Sequence, residues 1–319
     1  MKWRRLAALF FGGCSVISDA NDGWDQFWRA TKSSEVLVND TGAKNPALDS
    51  FWESRLQGIE PQQAVIDVGC GAGSVCQRLS SAEAFLVGTD ISQVALSRAQ
   101  QVASHVIPVR AASERMPFQS RSFDWVVSQF GVEYGGIEGL TEACALAKPD
   151  AQICFLIHAP NSAIQRSAER DLHHVEVIIE TGFLAAARSL TTALAKQEEK
   201  QLEVSSAEFT EAETQLRAQT VVSADNFAGY SYLGFQSLLR RWARYEPQDI
   251  LDWLNQMERE AAEGLLRLRA MRAAALDDDK WGALLDSLAP DRSSALYKYP
   301  VYSESSQQLL GWEVTNVPR

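Results

Sequence analysis

Asp67, Gly69, Gly71 and Gly73 stand in the stretch VIDVGCGAGS, residues 65–74, where a carboxylate and three alternate glycines follow an apolar run. Glycine costs the chain conformational entropy, so three in seven positions imply that something approaches the main chain closely there. A strand running into glycines and then a helix is a general device for seating a ligand at the carboxyl ends of a parallel sheet. The spacing here is GxGxG, with Ser74 in the place of the last glycine of the nicotinamide-type GxGxxG loop, which disfavours a pyrophosphate on the helix N-terminus. Asp67 would repel a phosphate and welcome an ammonium. About 20 residues on, Asp90 ends a second strand in VGTDIS, where a carboxylate can accept hydrogen bonds from both hydroxyls of a ribose. The pattern points to a nucleoside carrying an amino acid rather than a diphosphate.

Residues able to move a proton are few. His158 closes the apolar run QICFLIHA, on the ligand edge of the expected sheet, and Glu133 and Tyr134 follow FDWVVSQF. Each has a plain alternative, a core histidine or loop packing. His173 and His174 fall on a later helix and suit packing or solvent better than catalysis. The cysteines, Cys14, Cys70, Cys76, Cys144 and Cys154, are odd in number and include no CxxC pair, and no histidine stands at metal-ligand spacing to them. Reduced thiols and no metal site are expected.

The elements that must position these groups follow from periodicity. Strands are predicted at 64–69, 84–90, 106–111, 123–130 and 152–159. Helices are predicted near 74–80 and at 92–103, and a helix with a turn over GLTEACALAKPD, 139–150. Before them, GWDQFWRAT (23–31) and NPALDSFWESRL (45–56) read as short aromatic helices. Apolar strands alternating with helices imply βαβ units. From 161 to about 290 the chain is nearly all helix-like, and ALYKYPVYSE and LLGWEVTNV then return to strand character as a hairpin. The expected fold is α/β: a doubly wound, Rossmann-like sheet, mostly parallel with an antiparallel C-terminal hairpin strand, plus a large helical insertion. The expected domains are a helical lid or cap over 1–60, a ligand-binding core over 61–160, the helical insertion over 161–290, and the closing β-hairpin over 291–319.

The 319 residues carry a formal net charge of -11, with 46% hydrophobic and 22% charged residues. That composition suits a buried core, and the acidic balance argues against a nucleic-acid partner. The basic and apolar start MKWRRLAALFFGGCS can be read as a secretory or lipoprotein-like signal or, more plainly, as a helix packed on the domain, its apolar core being shorter than a usual signal core and too short to span a bilayer. No membrane span is expected.

Taken in order, VIDVGCGAGS, VGTDIS, ASERMPFQSRSFDWVVSQFGVEY and ALAKPDAQICFLI resemble the class I S-adenosylmethionine-dependent methyltransferases, most closely the ubiquinone/menaquinone-biosynthesis and biotin-pathway branch. The resemblance spans roughly 60–160 and, more weakly, the closing hairpin. It implies S-adenosylmethionine as cofactor and S-adenosylhomocysteine as product. By the same resemblance Asp67, Gly69, Gly71 and Gly73 would surround the methionine part, Asp90 would hold the ribose, and Ile91 would lie against the adenine. Ser113 and Glu114 would sit near the adenine amino group, Met116 would pack on the ring, and Ser128 and Gln129 would face the methionine end. Ala112 stands where the family often has an aspartate, KPDA replaces the usual KPGG turn, and no NPPY-like tetrapeptide follows the fourth strand.

The implied activity is methyl transfer by in-line displacement to O, N or C of a small organic acceptor. The alternatives are an RNA or protein methyltransferase, or a non-catalytic cofactor-binding module. His158, Glu133 and Tyr134 are the candidate catalytic groups. Trp24, Phe27 and Trp28 suit a lid, and the insertion suits an acceptor lid or a homodimer arm. Trp242, Trp253 and Trp281 suit the core or an apolar pocket. A cytoplasmic location is expected from the cofactor.

Overall fold

The computed structural model describes residues 20–31, 46–79, 83–288, 295–303 and 307–319. The basic N-terminal stretch and Cys14 lie outside them. The described chain divides into two compact units: Ser167–Arg269 in one, and the chain up to Arg166 together with Ala270–Arg319 in the other.

The larger unit is built on seven strands: β1 (Ala64–Val68), β2 (Phe85–Asp90), β3 (Ile107–Arg110), β4 (Phe123–Gln129), β5 (Ala147–Ile157), β6 (Tyr297–Tyr302) and β7 (Leu309–Thr315). Their order is β3-β2-β1-β4-β5-β7-β6. The first five are mutually parallel, and β7 runs antiparallel to both β5 and β6. The register Val65↔Trp125, Ile66↔Val126, Asp67↔Val127 sorts side chains to opposite faces by simple alternation. Val65, Trp125 and Val127 pack in a cluster with Leu48, Phe51 and Trp52 of the Pro46–Arg55 helix. Ile66, Val68 and Val126 pack in another with Leu140, Ala143 and Leu146 of the Gly136–Leu146 helix. Both faces of the parallel strands are therefore covered, which is why the strands read as continuous apolar runs.

Side chains cap helix starts, one at the helix predicted over 92–103 and one inside the stretch read only as helix-like. Ser92 accepts from the Ala95 N–H and opens the helix Gln93–Val102. Asp277 does the same for Lys280 and the helix Asp278–Ser287. One expectation needs correcting. Lys148–Ala151 is not a turn after a helix: the helix ends at Leu146, and β5 already begins at Ala147. The register jumps there, from Phe123↔Ala147 to Trp125↔Gln152, so Lys148–Asp150 form a bulge. Lys148 Nζ meets both Asp124 carboxylate oxygens, at 2.8 and 2.9 Å, and holds the bulge to β4. At the far edge, Pro300 lies in β6, the position in a sheet where its missing N–H is tolerated. Lys298, also in β6, puts its ammonium 5.4 and 5.0 Å from the ring centres of Trp281 and Trp312.

The smaller unit is helical. Phe183–Lys196 and Glu199–Gln219 form a hairpin, followed by Phe227–Arg240 and the long helix Pro247–Ala274. Asn226 caps the third by accepting from the Gly229 N–H at 2.7 Å. Along Pro247–Ala274 the buried positions Ile250, Leu254, Met257, Ala261, Gly264 and Leu268 keep the 3–4 spacing seen in the sequence. His173 and His174 meet Gln219 O and Thr220 Oγ1 at the end of Glu199–Gln219, at 3.3 and 2.8 Å. Among the described residues no single helix is long and apolar enough to cross a membrane. Ala163–Glu180 and Phe183–Lys196, bent by 42°, reach that hydropathy only when taken together.

Candidate functional site

β1 and β4 lie side by side, but the chain leaves β1 toward β2 and leaves β4 toward β5. Loops that part in opposite directions open a crevice at the carboxyl ends of the two strands, the point where ligands bind in open α/β sheets. The glycine loop sits there, and each glycine is required by something specific. Gly69 has φ +66°, and a Cβ on it would come within 2.7 Å of the Gly131 Cα after β4. A Cβ on Gly73, at φ +84°, would meet the Ala99 Cα of the Gln93–Val102 helix at 2.9 Å. Gly71, at φ +53°, is covered by the indole of Trp28, 2.5 Å from where its Cβ would be. Backbone conformation and space thus both exclude a side chain.

The helix Ala20–Ala30, which carries Trp28, is fastened over this loop. Trp28 is buried at 4% exposure. Its carbonyl accepts from Arg98 Nη1 at 2.5 Å. From the same helix, Asp25 Oδ1 accepts from Ser92 Oγ at 2.5 Å and from the Val94 N–H at 3.2 Å, at the N-terminus of the Gln93–Val102 helix. We expect Gly71→Ala to loosen this helix, read as faster amide hydrogen exchange over 23–31 with β1 protection unchanged. Equal exchange in the variant and the parent would show that the indole does not depend on the bare loop.

Two carboxylates lie at the carboxyl ends of β1 and β2. Asp90 accepts from the Gly71 N–H at 2.9 Å and from the Ser92 N–H at 2.8 Å. Burial raises its pKa to about 6, Asp25 adding to the rise and the two backbone bonds opposing it. Asp67, 1% exposed, accepts from Cys76 Sγ at 3.3 Å through Oδ2. Its Oδ1 is buried with no partner. Burial pushes this carboxyl up to about 7, the Cys76 bond opposing the rise. Cys70, Cys76, Cys144 and Cys154 are all buried free thiols.

Beyond the loop, His158 stands just past the end of β5, 1% exposed. Its ring stacks on Phe130, with centroids 4.8 Å apart. Its Nε2 lies 3.3 Å from the Tyr134 hydroxyl. Its Nδ1 is buried without a partner. Burial lowers its pKa to about 4, so the imidazole is neutral through the physiological range. Glu133 does not point its carboxylate away from this group. Its Oε1 accepts from the His158 main-chain N–H at 2.9 Å, and burial raises its pKa to about 7. Trp24 closes the row edge-on to Tyr134, with centroids 5.0 Å apart. His158, Glu133 and Tyr134 are thus brought together, whereas His173 and His174 belong to the helical unit.

The remaining predicted residues are placed as follows. The Ile91 carbonyl accepts from Arg110 Nε at 2.9 Å. Ser113 Oγ lies 3.4 Å from Val132 O and 3.4 Å from Glu114 Oε2. Met116 is buried in the core cluster that holds Val132 and Leu140. Ser128 spends its hydroxyl on the protein itself, donating to Val68 O at 2.6 Å and accepting from the Val132 N–H at 2.9 Å, so it ties the ends of β1 and β4 together. Gln129 accepts from Trp52 Nε1 at 2.5 Å and donates to Ser74 Oγ at 3.1 Å. Asp25, Trp52, Phe130 and Gly131 were not among the sequence candidates. Only Phe130 and Gly131 carried a signal, directly following β4.

No curated protein sequence matches the chain. Among solved structures it is similar to an S-adenosylmethionine-dependent methyltransferase from Aquifex aeolicus (20% identity, TM-score 0.31), covering 34% of this chain and 64% of that one. It is similar to another from Mesorhizobium loti (20%, 0.33), covering 36% and 56%. It is also similar to Haemonchus contortus phosphoethanolamine N-methyltransferase 1 in complex with phosphoethanolamine and S-adenosylhomocysteine (18%, 0.36), covering 44% and 32%. The chain therefore spans less than two thirds of the length of each of these structures. Residues 65–150, from β1 into the start of β5 and including the glycine loop and Asp90, match the family model described as a methyltransferase domain.

Proposed function

We propose that the protein is an S-adenosylmethionine-dependent methyltransferase acting on a small organic acceptor. The observation that carries this reading is the unpartnered, buried Oδ1 of Asp67 beside a loop in which Gly69, Gly71 and Gly73 carry no side chain. A buried polar atom without a partner is costly and rare. An α-ammonium is the group that would satisfy it, and a phosphate is not. The residues therefore fit the cofactor: Asp67, Gly69, Gly71 and Gly73 for the amino-acid tail, Asp90 for the ribose hydroxyls, and Ile91, Ser113, Glu114 and Met116 for the adenine end. When bound, the cofactor supplies a methyl group already activated by a sulfonium charge.

The chain's own contribution is alignment, exclusion of water and handling of one proton. Ala20–Ala30 covers the loop as a lid, with Trp28 on Gly71 and Trp24 at the Tyr134 end. His158, neutral and backed by Phe130, accepts a hydrogen bond from Tyr134. In this scheme the phenolic oxygen takes the proton of an O–H or N–H of the acceptor as Tyr134 passes its own proton to Nε2. Glu133 is a positioning residue in this scheme, fixing the main chain of His158. The motifs that carry the resemblance to the ubiquinone/menaquinone and biotin-pathway branch motivate a small-molecule acceptor, and the cofactor motivates a cytoplasmic location.

The direct test is to incubate the protein with methyl-labelled S-adenosylmethionine and extracts of the source cell, and to identify the labelled product. A labelled small molecule is the expected result; label only in protein or RNA would overturn the acceptor class. Asp90→Ala is expected to weaken cofactor binding about tenfold or more, the range of a hydrogen bond to a charged group. Unchanged affinity by calorimetry would contradict the ribose placement.

A further inference from the structure

The helical unit contains a cavity of about 360 Å³ lined by Ala224, Tyr230, Leu233, Gly234, Ser237, Leu238 and Trp253. Its volume falls at the lower end of the range typical of small-molecule sites. The wall is mostly apolar, and Leu233 is 38% exposed on it, a large side chain left partly uncovered by its own unit. Gly234 makes the space: a Cβ there would come within 2.7 Å of the Trp253 ring.

The helix face that lines the cavity runs 230, 233/234, 237/238, the 3–4 spacing of one helical stripe. The next position on that stripe is Arg241, the C-cap of Phe227–Arg240. Arg240, Arg241 and Arg244 fall within five residues, all exposed, in a chain of net charge -11. None of the three forms an ion pair with the described residues. The acidic groups nearest in the chain are Glu246, Asp249 and Asp252, of which Asp249 and Asp252 accept from Glu246 N–H and Gln248 Nε2. The stripe that lines the apolar groove thus leads, one helical turn on, to a helix end carrying three exposed arginines. At this corner the polar requirement is an anion and the apolar requirement a hydrocarbon body.

We propose that this cavity binds a single-chain anionic amphiphile, an acyl carboxylate whose tail lies along Tyr230, Leu233 and Trp253 and whose head meets Arg241. The site does not depend on the methyltransfer reading.

The test titrates the full chain with decanoate, below its micelle concentration, against decanol and decyltrimethylammonium, following Trp253 through its emission and assigning it by Trp253→Phe. Decanoate is expected to bind. Decanol should bind about tenfold or more weakly, and the cationic analogue should not bind detectably. Arg241→Glu, at an exposed position, is expected to weaken decanoate about tenfold or more. Ser237→Phe, which plugs the groove, should abolish binding while leaving the far-ultraviolet dichroism unchanged. Equal binding of the cationic analogue, or decanoate affinity unchanged in Arg241→Glu, would overturn the proposal. So would sedimentation with phosphatidylglycerol vesicles in the absence of monomer binding, which would make the corner a membrane surface instead. Normal cofactor binding alongside a failed decanoate titration would refute this site alone.

Discussion

Asp67→Asn is expected to weaken S-adenosylmethionine binding by about ten- to a hundredfold and, in the unliganded protein, to raise the melting temperature above neutral pH. Both effects come from one carboxylate. In the free protein its pKa is raised from 3.8 to about 7 by burial. The folded state therefore holds a proton that the unfolded chain releases above about pH 4. Stability is complete below the unfolded value and falls as pH rises toward the folded value, levelling off above it. The loss reaches about 4 kcal/mol at most. Asparagine removes that loss, so the two melting curves should coincide near pH 4 and separate by about 10 °C at pH 8. An ammonium ligand needs the ionised carboxylate, so wild-type affinity should rise between pH 6 and 7 as the carboxyl ionises. The variant should lose that dependence. A melting difference that ignores pH, or calorimetric affinity that Asp67→Asn leaves intact, would show that this oxygen does not face the cofactor's amino group.

His158→Ala is expected to lower the turnover number about a hundredfold or more while leaving the cofactor dissociation constant within error. The prediction separates a proton acceptor from a core histidine, whose loss would unfold the β5 end and reduce both quantities together. Tyr134→Phe, which keeps the ring against Trp24 and removes only the hydroxyl, should reproduce most of the rate loss with no change in melting temperature. Burial lowers the imidazole pKa to about 4, so the turnover number at saturating cofactor should carry no acid limb near 6.5, where an exposed histidine would titrate. A turnover number at saturating cofactor that halves near pH 6.5, or a Tyr134→Phe enzyme with parental turnover, would remove the pair from the chemistry.

Much of this site could be read from the residues alone, because it is written in short segments. A strand, its glycines and the following helix occupy neighbouring positions, and Asp90 ends the next strand. Local sequence therefore carries both the crevice and its two acids. The parts that could not be read are contacts between residues far apart in the chain. Nothing near Gly71 announces that Trp28 lies on it, and nothing near Ser92 announces the carboxylate of Asp25. Ser128 and Gln129 were legible as residues at a strand end but not as groups already engaged by Val68, Val132, Trp52 and Ser74. Lys148–Ala151 misled because Pro-Asp ordinarily signals a turn; the ion pair to Asp124, 24 residues away, draws it into β5 instead.

Gly131 belongs to no recognisable glycine signature, yet a methyl group on it would come within 2.5 Å of the Gly69 carbonyl. In a saturation library the two positions should fail as a pair, with substitutions at 131 as poorly represented among functional survivors as those at 69. A deep-mutational map would then show an intolerant glycine lying outside the recognised loop. Engineers seeking to reshape the acceptor end of this protein would do well to start their diversification at Val132 rather than one residue earlier.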